Sequence, residues 1–264
     1  MAIRRVTNMA RIAPLFAGWP EYLFLAVLDG EMGEAYATDG ETAALLYLAH
    51  FGFLAGDALS PEAEALAAHS PEGYKGGVRI WTPRDEAWAG VIERALGTRA
   101  KKVQRHAIRK DVHRFDEASL RALVAALPEG CELRAIDGPC YRMALTEEWS
   151  CDMVAQFKDE ADFLARGLGF VALSGGEIVS GASSFSVYHG GIEVEISTRH
   201  THRRRGLAAA CGARLLLTCF ERGLYPSWDA YSPASVALAE KLGYVYAHPY
   251  TVYEVDGETG GDFG

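Results

Sequence analysis

Residues 191 to 223 read as strand, loop and helix, and they constrain the rest of the chain. Ile192, Val194 and Ile196 alternate with Glu193, Glu195 and Ser197, the period-two pattern of a strand with one buried and one polar face. The loop from Thr198 to Arg205 carries His200, His202 and three consecutive arginines, Arg203, Arg204 and Arg205. Gly206 opens the run Leu207-Ala208-Ala209-Ala210-Cys211, which continues as a helix to Arg222, with Gly223 placed as its C-terminal cap.

A basic turn opened by glycine at a helix start suits a phosphate. The first backbone N–H groups of a helix have no internal acceptors, and the macrodipole adds partial positive charge there. An anion takes those donors. Gly206 has no Cβ to keep a phosphate from the main chain, Ala208 keeps the next turn small, and the arginine forks match phosphate oxygens.

At these residues the chain resembles the Gcn5-related N-acetyltransferases. Arg203-Arg204-Arg205-Gly206-Leu207-Ala208 fits their pyrophosphate loop: Gln or Arg, two residues, Gly, one residue, Gly or Ala. The context fits as well. Before the loop come hairpin-like runs, Phe170 to Leu173 and Ile178 to Tyr188, and after it a strand and a helix ending Lys241-Leu242-Gly243-Tyr244. Ile192-Glu193-Val194-Glu195 and Tyr225-Pro226-Ser227-Trp228-Asp229-Ala230 look most like the branch related to zwittermicin-resistance proteins. The resemblance covers Cys131 to Val255 well and the first half loosely.

The resemblance implies an α+β fold: an N-terminal α+β region, then an acyl-CoA N-acyltransferase domain with a mixed, mostly antiparallel sheet flanked by helices. It implies acetyl-CoA as cosubstrate and no metal. Cofactor contacts are expected at Ile196, Ser197, Thr198, the loop from Arg203 to Ala208, and the helix start at Ser232 and Ser235. Acceptor contacts are expected at Trp149, Asp152, Gln156, Phe157, Trp228 and Asp229. Phe157 equally fits a core position, and Asp229 a bond to neighbouring main chain.

Acetyl transfer to an amine needs a base for the amine proton, a donor for the thioester oxygen and a proton for the departing thiolate. Glu193 and Glu195 are the candidate bases; they share a face if the strand is regular, and a bulge would separate them. A main-chain N–H at the strand end would hold the oxygen. For the thiolate, the family often supplies a tyrosine two residues before the lysine of its last helix, and a starting Asn. Here those places hold Ala239 and Ser232. Tyr231, Ser232, Ser235 or Tyr244 are substitutes, and unassisted departure is the other route. The missing tyrosine keeps a second function open, a non-catalytic module that binds coenzyme A and reports on acyl-CoA level through the N-terminal half.

The remaining features bound these readings. A net charge of −9 from 26 basic and 35 acidic residues disfavours a general nucleic-acid binder. Arg99 to Arg114 sets seven Lys and Arg residues against the single acid Asp111, and reads as a strand with a solvated basic face, without the aromatics a single-strand binder needs. Five cysteines, an odd number without metal-ligand spacing, fit reduced thiols in a cytoplasm. Cys211 and Cys219 read as core, and no activated Cys or Ser stands out for an acyl-enzyme. No apolar run reaches a signal-peptide core or a membrane span. The expected partner is a small amine-bearing molecule, with no nucleic acid or membrane; a homodimer is allowed, the oligomeric state being unspecified.

Helices are expected from Ser60 to about His69, from Asp85 to Leu96 and from Asp116 to Leu127, with strands at 35–38 and 78–82. Tyr22 to Leu28 fits a strand or, preferably, a helix, and Glu41 to Leu48 stays open between strand and helix. Tyr141 to Arg166 reads as one or two helices with Phe157, Phe163 and Leu164 toward the core. Pro128-Glu129-Gly130 is taken as the boundary between an N-terminal domain, 1–129, and the transferase domain, 130–256. A flexible acidic, glycine-rich tail is expected over 257–264.

Overall fold

The computed structural model describes residues 3–71, 74, 77–110 and 115–256, so the expected tail at 257–264 and the end of the basic stretch, 111–114, lie outside the described residues. The chain forms two compact units. One comprises 1–105 with 249–264, the other 106–248. The break expected at Pro128-Glu129-Gly130 falls inside the second unit.

The first unit starts with β1 (Arg4–Val6), two short 3-10 turns and α1 (Leu25–Leu28). A meander follows of β2 (Glu34–Ala37), β3 (Ala43–Leu48) and β4 (Phe51–Gly56). Then come α2 (Ala63–Ala68), β5 (Val78–Pro83), α3 (Glu86–Leu96) and β6 (Ala100–Ile108). The helix expected from Ser60 begins only at Ala63, because Ser60 Oγ and the Glu62 side chain and amide bond to each other in a turn before it. Asp85 caps α3 by accepting from Trp88 N, as its sequence predicts. Leu66 of α2 and Trp88 and Ile92 of α3 join Leu45, Leu54 and Trp81 of the strands in one core cluster, all fully buried.

The second unit carries α4 (Glu117–Ala125), β7 (Cys131–Ala135) and three short helices rather than one or two: α5 (Gly138–Ala144), α6 (Glu148–Cys151) and α7 (Glu160–Arg166). Phe157 and Phe163 are buried edge to face, but Leu164 is 48% exposed, a correction to its expected inward position. Helical periodicity explains it: Leu164 follows Phe163 by one residue, about 100° around the axis, and only one of the two can face inward. Next come β8 (Gly169–Ser174), β9 (Glu177–Tyr188), β10 (Gly191–Thr198), α8 (Leu207–Glu221), β11 (Tyr225–Ser227), β12 (Asp229–Ala230) and α9 (Pro233–Lys241). The five-stranded sheet has the order β11-β10-β9-β8-β7, antiparallel except for the parallel β10–β11 pair. The last strand is β13 (Tyr246–Asp256).

In chain order, β1 to β6 and β7 to β13 run through one succession: strand, helical segment, three-strand antiparallel meander, helix, parallel strand, helix, final strand. The division between the units cuts β6, whose residues 100–105 belong to the first. His106 and Ala107 of β6 belong to the second unit and pair with β12, while residues 253–256 of β13 belong to the first and pair with β5. Among the described residues no helix is long and apolar enough to cross a membrane.

The parallel pair of the first unit is closed. Phe51 to Leu54 stay in register with Ile80 to Pro83, and Arg84 N continues the ladder to Leu54 O at 2.9 Å. Trp81 lies flat against Gly52, pinned by its Nε1 donating to Ala67 O at 2.8 Å. A Cβ on Gly52 would stand 2.1 Å from the indole carbon Cζ3. Gly52→Ala is expected to destabilise the chain by about 1–3 kcal/mol, read as a lowered thermal midpoint; an unchanged midpoint would show that the ring can swing clear.

Candidate functional site

In the second unit the parallel pair opens. β10 pairs with β11 only through Gly191, Ile192 and Glu193, opposite Tyr225, Pro226 and Ser227. The chain then turns away at Trp228, and Asp229 and Ala230 pair with Ala107 and His106 of β6. Val194 to Thr198 keep only their pairing to β9, so one edge of that stretch faces no strand. Side chains hold the divergence. Tyr244, buried, donates its hydroxyl to Pro226 O at 2.7 Å and meets the Trp228 ring edge-on at 5.4 Å. Lys110 Nζ donates to Trp228 O at 3.0 Å.

The sequence places its polar loop at the end of that open strand. The arginines 203, 204 and 205 are exposed, and Arg203 Nε donates to Thr198 O at 3.3 Å. Arg204 at φ +63° and Gly206 at φ +85° wind the backbone tightly ahead of α8. The glycine is required by that left-handed conformation, since a Cβ there would meet nothing within 4 Å. Gly206 is the N-cap of α8 and offers no side-chain acceptor, nor does the first turn hold an acid. Every other described helix of seven residues or more has a side-chain cap, from Asp85, Asp116, Asp137, Asp159 or Ser232. The longest described helix thus leaves its first N–H groups without a side-chain acceptor, with three cations close by in sequence, an arrangement that suits an anion. Leu207 is buried as the first core residue of α8, and Ala208 is half-buried.

Glu193 and Glu195 lie in different surroundings. A register shift falls between Glu193 and Val194, where Glu193 pairs with Ser186 and Val194 with Ser184, leaving Phe185 of β9 as the extra residue. The alternation of the sequence predicts a solvated glutamate face, but Glu193 is only 5% exposed, because it lies between β9 and β11 within the paired part of the sheet. Glu195, beyond the shift, is half-buried and accepts from Ser197 Oγ at 2.7 Å. Ile196 turns to the opposite face, toward Gly212 of α8. Thr198 shares a hydrogen bond with Ser180 Oγ at 2.7 Å.

Of the expected acceptor residues, Trp149 lies in α6, which packs on β10, Asp152, Gln156 and Phe157 follow it, and Trp228 and Asp229 lie apart in the chain where β11 gives way to β12. Trp149 Nε1 donates to Glu147 at 2.7 Å, and the same carboxylate takes Arg199, whose guanidinium lies 5.8 Å from the Trp149 ring centre. Gln156 Nε2 donates to Asp152 at 3.1 Å, and Phe157 is core. Trp228 is 4% exposed and Asp229 half-buried. Glu147 and Arg199 are partners that sequence reasoning missed: they are 52 residues apart, and only the packing of α6 on β10 joins them.

Of the expected acids, Ser232 caps α9 by accepting from Ser235 N at 3.3 Å, and Tyr231 is 63% exposed. Burial pushes the Tyr244 phenol well above its ordinary range, and its proton is committed to Pro226 O. Burial also raises the thiols of Cys140 and Cys151, and pushes Cys211 and Cys219 up to about 12. All five cysteines are free, and the described residues hold no group of His, Cys, Asp and Glu arranged for a metal.

Residues 13–253 match the family described as GNAT acetyltransferase. A GCN5-related N-acetyltransferase-like protein from Streptococcus suis 89/1591 is 42% identical, with a TM-score of 0.84 over 94% of this chain and 98% of that one. YdfB of Bacillus subtilis (strain 168), an uncharacterized N-acetyltransferase, is 28% identical over 176 residues, which are 64% of this chain and 62% of the relative's length. In fold alone, the chain is similar to a tandem GNAT protein from the clavulanic acid biosynthesis pathway, at 11% identity and a TM-score of 0.59 over 99% of both chains.

A thiol whose titration is moved upward stays protonated at neutral pH, and the thiolate is the nucleophile. Iodoacetamide at pH 8 is therefore expected to leave Cys211 and Cys219 unmodified in the native chain and to label both after denaturation, as read by mass spectrometry; equal labelling in the two states would contradict their burial.

Proposed function

We propose, from the premise that the chain belongs to the GNAT acetyltransferase family, that it transfers the acetyl group of acetyl-CoA to the amine of a small molecule by direct attack in a ternary complex. The observation that carries this reading is the uncapped start of α8, behind three exposed arginines, at the end of a strand that has lost its neighbour. Arg203 to Ala208 would hold the pyrophosphate, and the open edge of Val194 to Thr198 would pair with an extended chain as a further strand does. The cosubstrate supplies an activated thioester carbonyl and a thiol leaving group.

The remaining steps belong to the chain. A main-chain N–H of the open edge near Ile196 or Ser197 would polarise the carbonyl oxygen. Glu193 or Glu195 would take the amine proton, and Trp149, Gln156, Trp228 and Asp229 would orient the acceptor, Asp229 by its charge. The raised thiols of four cysteines support direct attack over an acyl-enzyme. The wording shared with zwittermicin-resistance proteins supports an amino-bearing antibiotic or metabolite as acceptor, and free cysteines support a cytoplasmic site of action.

The first unit repeats the succession without the chemistry. Its parallel strands stay closed, Trp81 covers Gly52, and the turn before α2 holds Asp57 and Glu62 but no arginine. We therefore expect one cofactor site per chain. Calorimetric titration of acetyl-CoA is expected to show saturable 1:1 binding, weakened about tenfold by Arg203→Ala through loss of one charge-assisted contact. Binding is expected to vanish in Gly206→Asp, which adds a negative charge and a Cβ at φ +85°. No binding by the wild type would remove the transferase reading, and two equivalents would overturn the single site.

The committed Tyr244 hydroxyl and the alanine at position 239, fully buried, favour one alternative, a module that binds coenzyme A without catalysis. Turnover on a broad amine panel decides between them: acetylated product from any amine rejects the non-catalytic reading, and binding without product on every amine supports it.

A further inference from the structure

Three strands meet at Glu193. Ser186 of β9 and Ser227 of β11 are its partners on either side, so the three side chains form one row across the sheet on a common face. The row is closed to solvent: both serines are fully buried and Glu193 nearly so. It is also the last rung before β10 and β11 part.

The serines of this row differ from the others buried along β9. Ser180 Oγ bonds to Ser197 O and Thr198 Oγ1, Ser183 Oγ donates to Met153 O at 2.7 Å, and Ser184 Oγ accepts from Leu168 N at 2.9 Å. Those hydroxyls hold the fold together. The hydroxyls of Ser186 and Ser227 have no hydrogen-bond partner. An unpaired buried hydroxyl destabilises a fold, and alanine at either position would remove that cost. Two such hydroxyls flank a single buried carboxylate, one strand spacing away on each side, about 4.8 Å. A water there gains the three polar neighbours a buried water needs.

We propose that Ser186 and Ser227 are positioning residues that hold water against the Glu193 carboxylate, making the row a proton relay at the mouth of the open strand pair. This rests on the transferase reading and assigns the base role to Glu193 in preference to Glu195. An acceptor ammonium gives one proton to the held water as that water gives one to Glu193, leaving a neutral amine, a water and a protonated carboxyl that later discharges to solvent. The amine nitrogen then bonds to the thioester carbon, the carbon–sulfur bond breaks, and the second nitrogen proton goes to the departing thiolate. The serines contribute by fixing the water through their lone pairs and O–H donors, and undergo no chemistry themselves.

Two measurements on the full chain test this. A crystal structure at a resolution that shows ordered solvent is expected to place water within about 3 Å of the Glu193 carboxylate and of one or both hydroxyls; a dry row overturns the proposal. In steady-state acetylation of an amine that turns over, Ser186→Ala and Ser227→Ala are each expected to lower kcat roughly tenfold at unchanged KM for both substrates. The double variant should approach the loss in Glu193→Gln, about a hundredfold, and Ser186→Thr and Ser227→Thr should recover most of the rate. Folded alanine variants with wild-type kcat, or variants that change KM alone, overturn it; if the alanine variants do not fold, the ordered water decides. Turnover with a dry row would remove the relay and leave the transferase reading standing, whereas a wet row with no turnover on any amine would remove both.

Discussion

Parallel pairing between Gly191–Glu193 and Tyr225–Ser227 ends after three residues, and the functional half of the chain is arranged around that ending. A sheet left open in its interior exposes backbone N–H and C=O groups, which is costly unless something takes them. The divergence is held by the Tyr244 hydroxyl on Pro226 O, by Lys110 on Trp228 O and by the departure of β12 to pair with β6. With the chain beyond β11 paired to β6, one edge of Val194 to Thr198 faces no strand. The same strand delivers the chain directly into the arginine loop and α8, so the open backbone edge and the uncapped helix start are adjacent in sequence.

The first unit shows what the same succession does when the pair stays closed. Trp81 needs the space over Gly52, and its indole is held at both ends, by Ala67 O through Nε1 and by the Tyr47 ring edge-on at 5.7 Å. A closed ladder and a packed indole leave no edge for a ligand. Asp57 and Glu62 also put negative charge ahead of a short helix. Topology is thus shared while the site is not, and the difference lies in one strand parting and one loop's charge.

Electrostatics follows the same local logic. The chain as a whole is acidic, yet Arg203 to Arg205 are exposed beside a helix start that lacks any side-chain cap. Where the fold does not need an anion, it supplies its own: Asp85, Asp137 and Asp159 each take N–H groups at the start of a helix. For Asp137 the N–H of Cys140 is the largest of the influences that hold its carboxyl below the usual range, with Arg134 adding to them. Among the described helices of seven residues or more, α8, which follows the open strand, is the one without a capping side chain.

How far the sequence reached depends on whether a feature is local. Alternation along Ile192 to Ser197, the arginine loop, Gly206 and the caps at Asp85, Asp116 and Ser232 are set by neighbours within one turn or one strand, and each is legible in the order of residues. A bulge was conceivable at the glutamates, but its place opposite Phe185 depends on which residues of β9 lie across the ladder. Pairings over long separations are not encoded in any window: Arg199 with Glu147, the row of Ser186, Glu193 and Ser227, β6 with β12 and β13 with β5. The sequence by itself determined a strand, a basic loop and a helix able to hold an anion. Only the tertiary structure decided that the strand would lose its neighbour and that Glu193 would be buried, because both follow from which strands lie side by side.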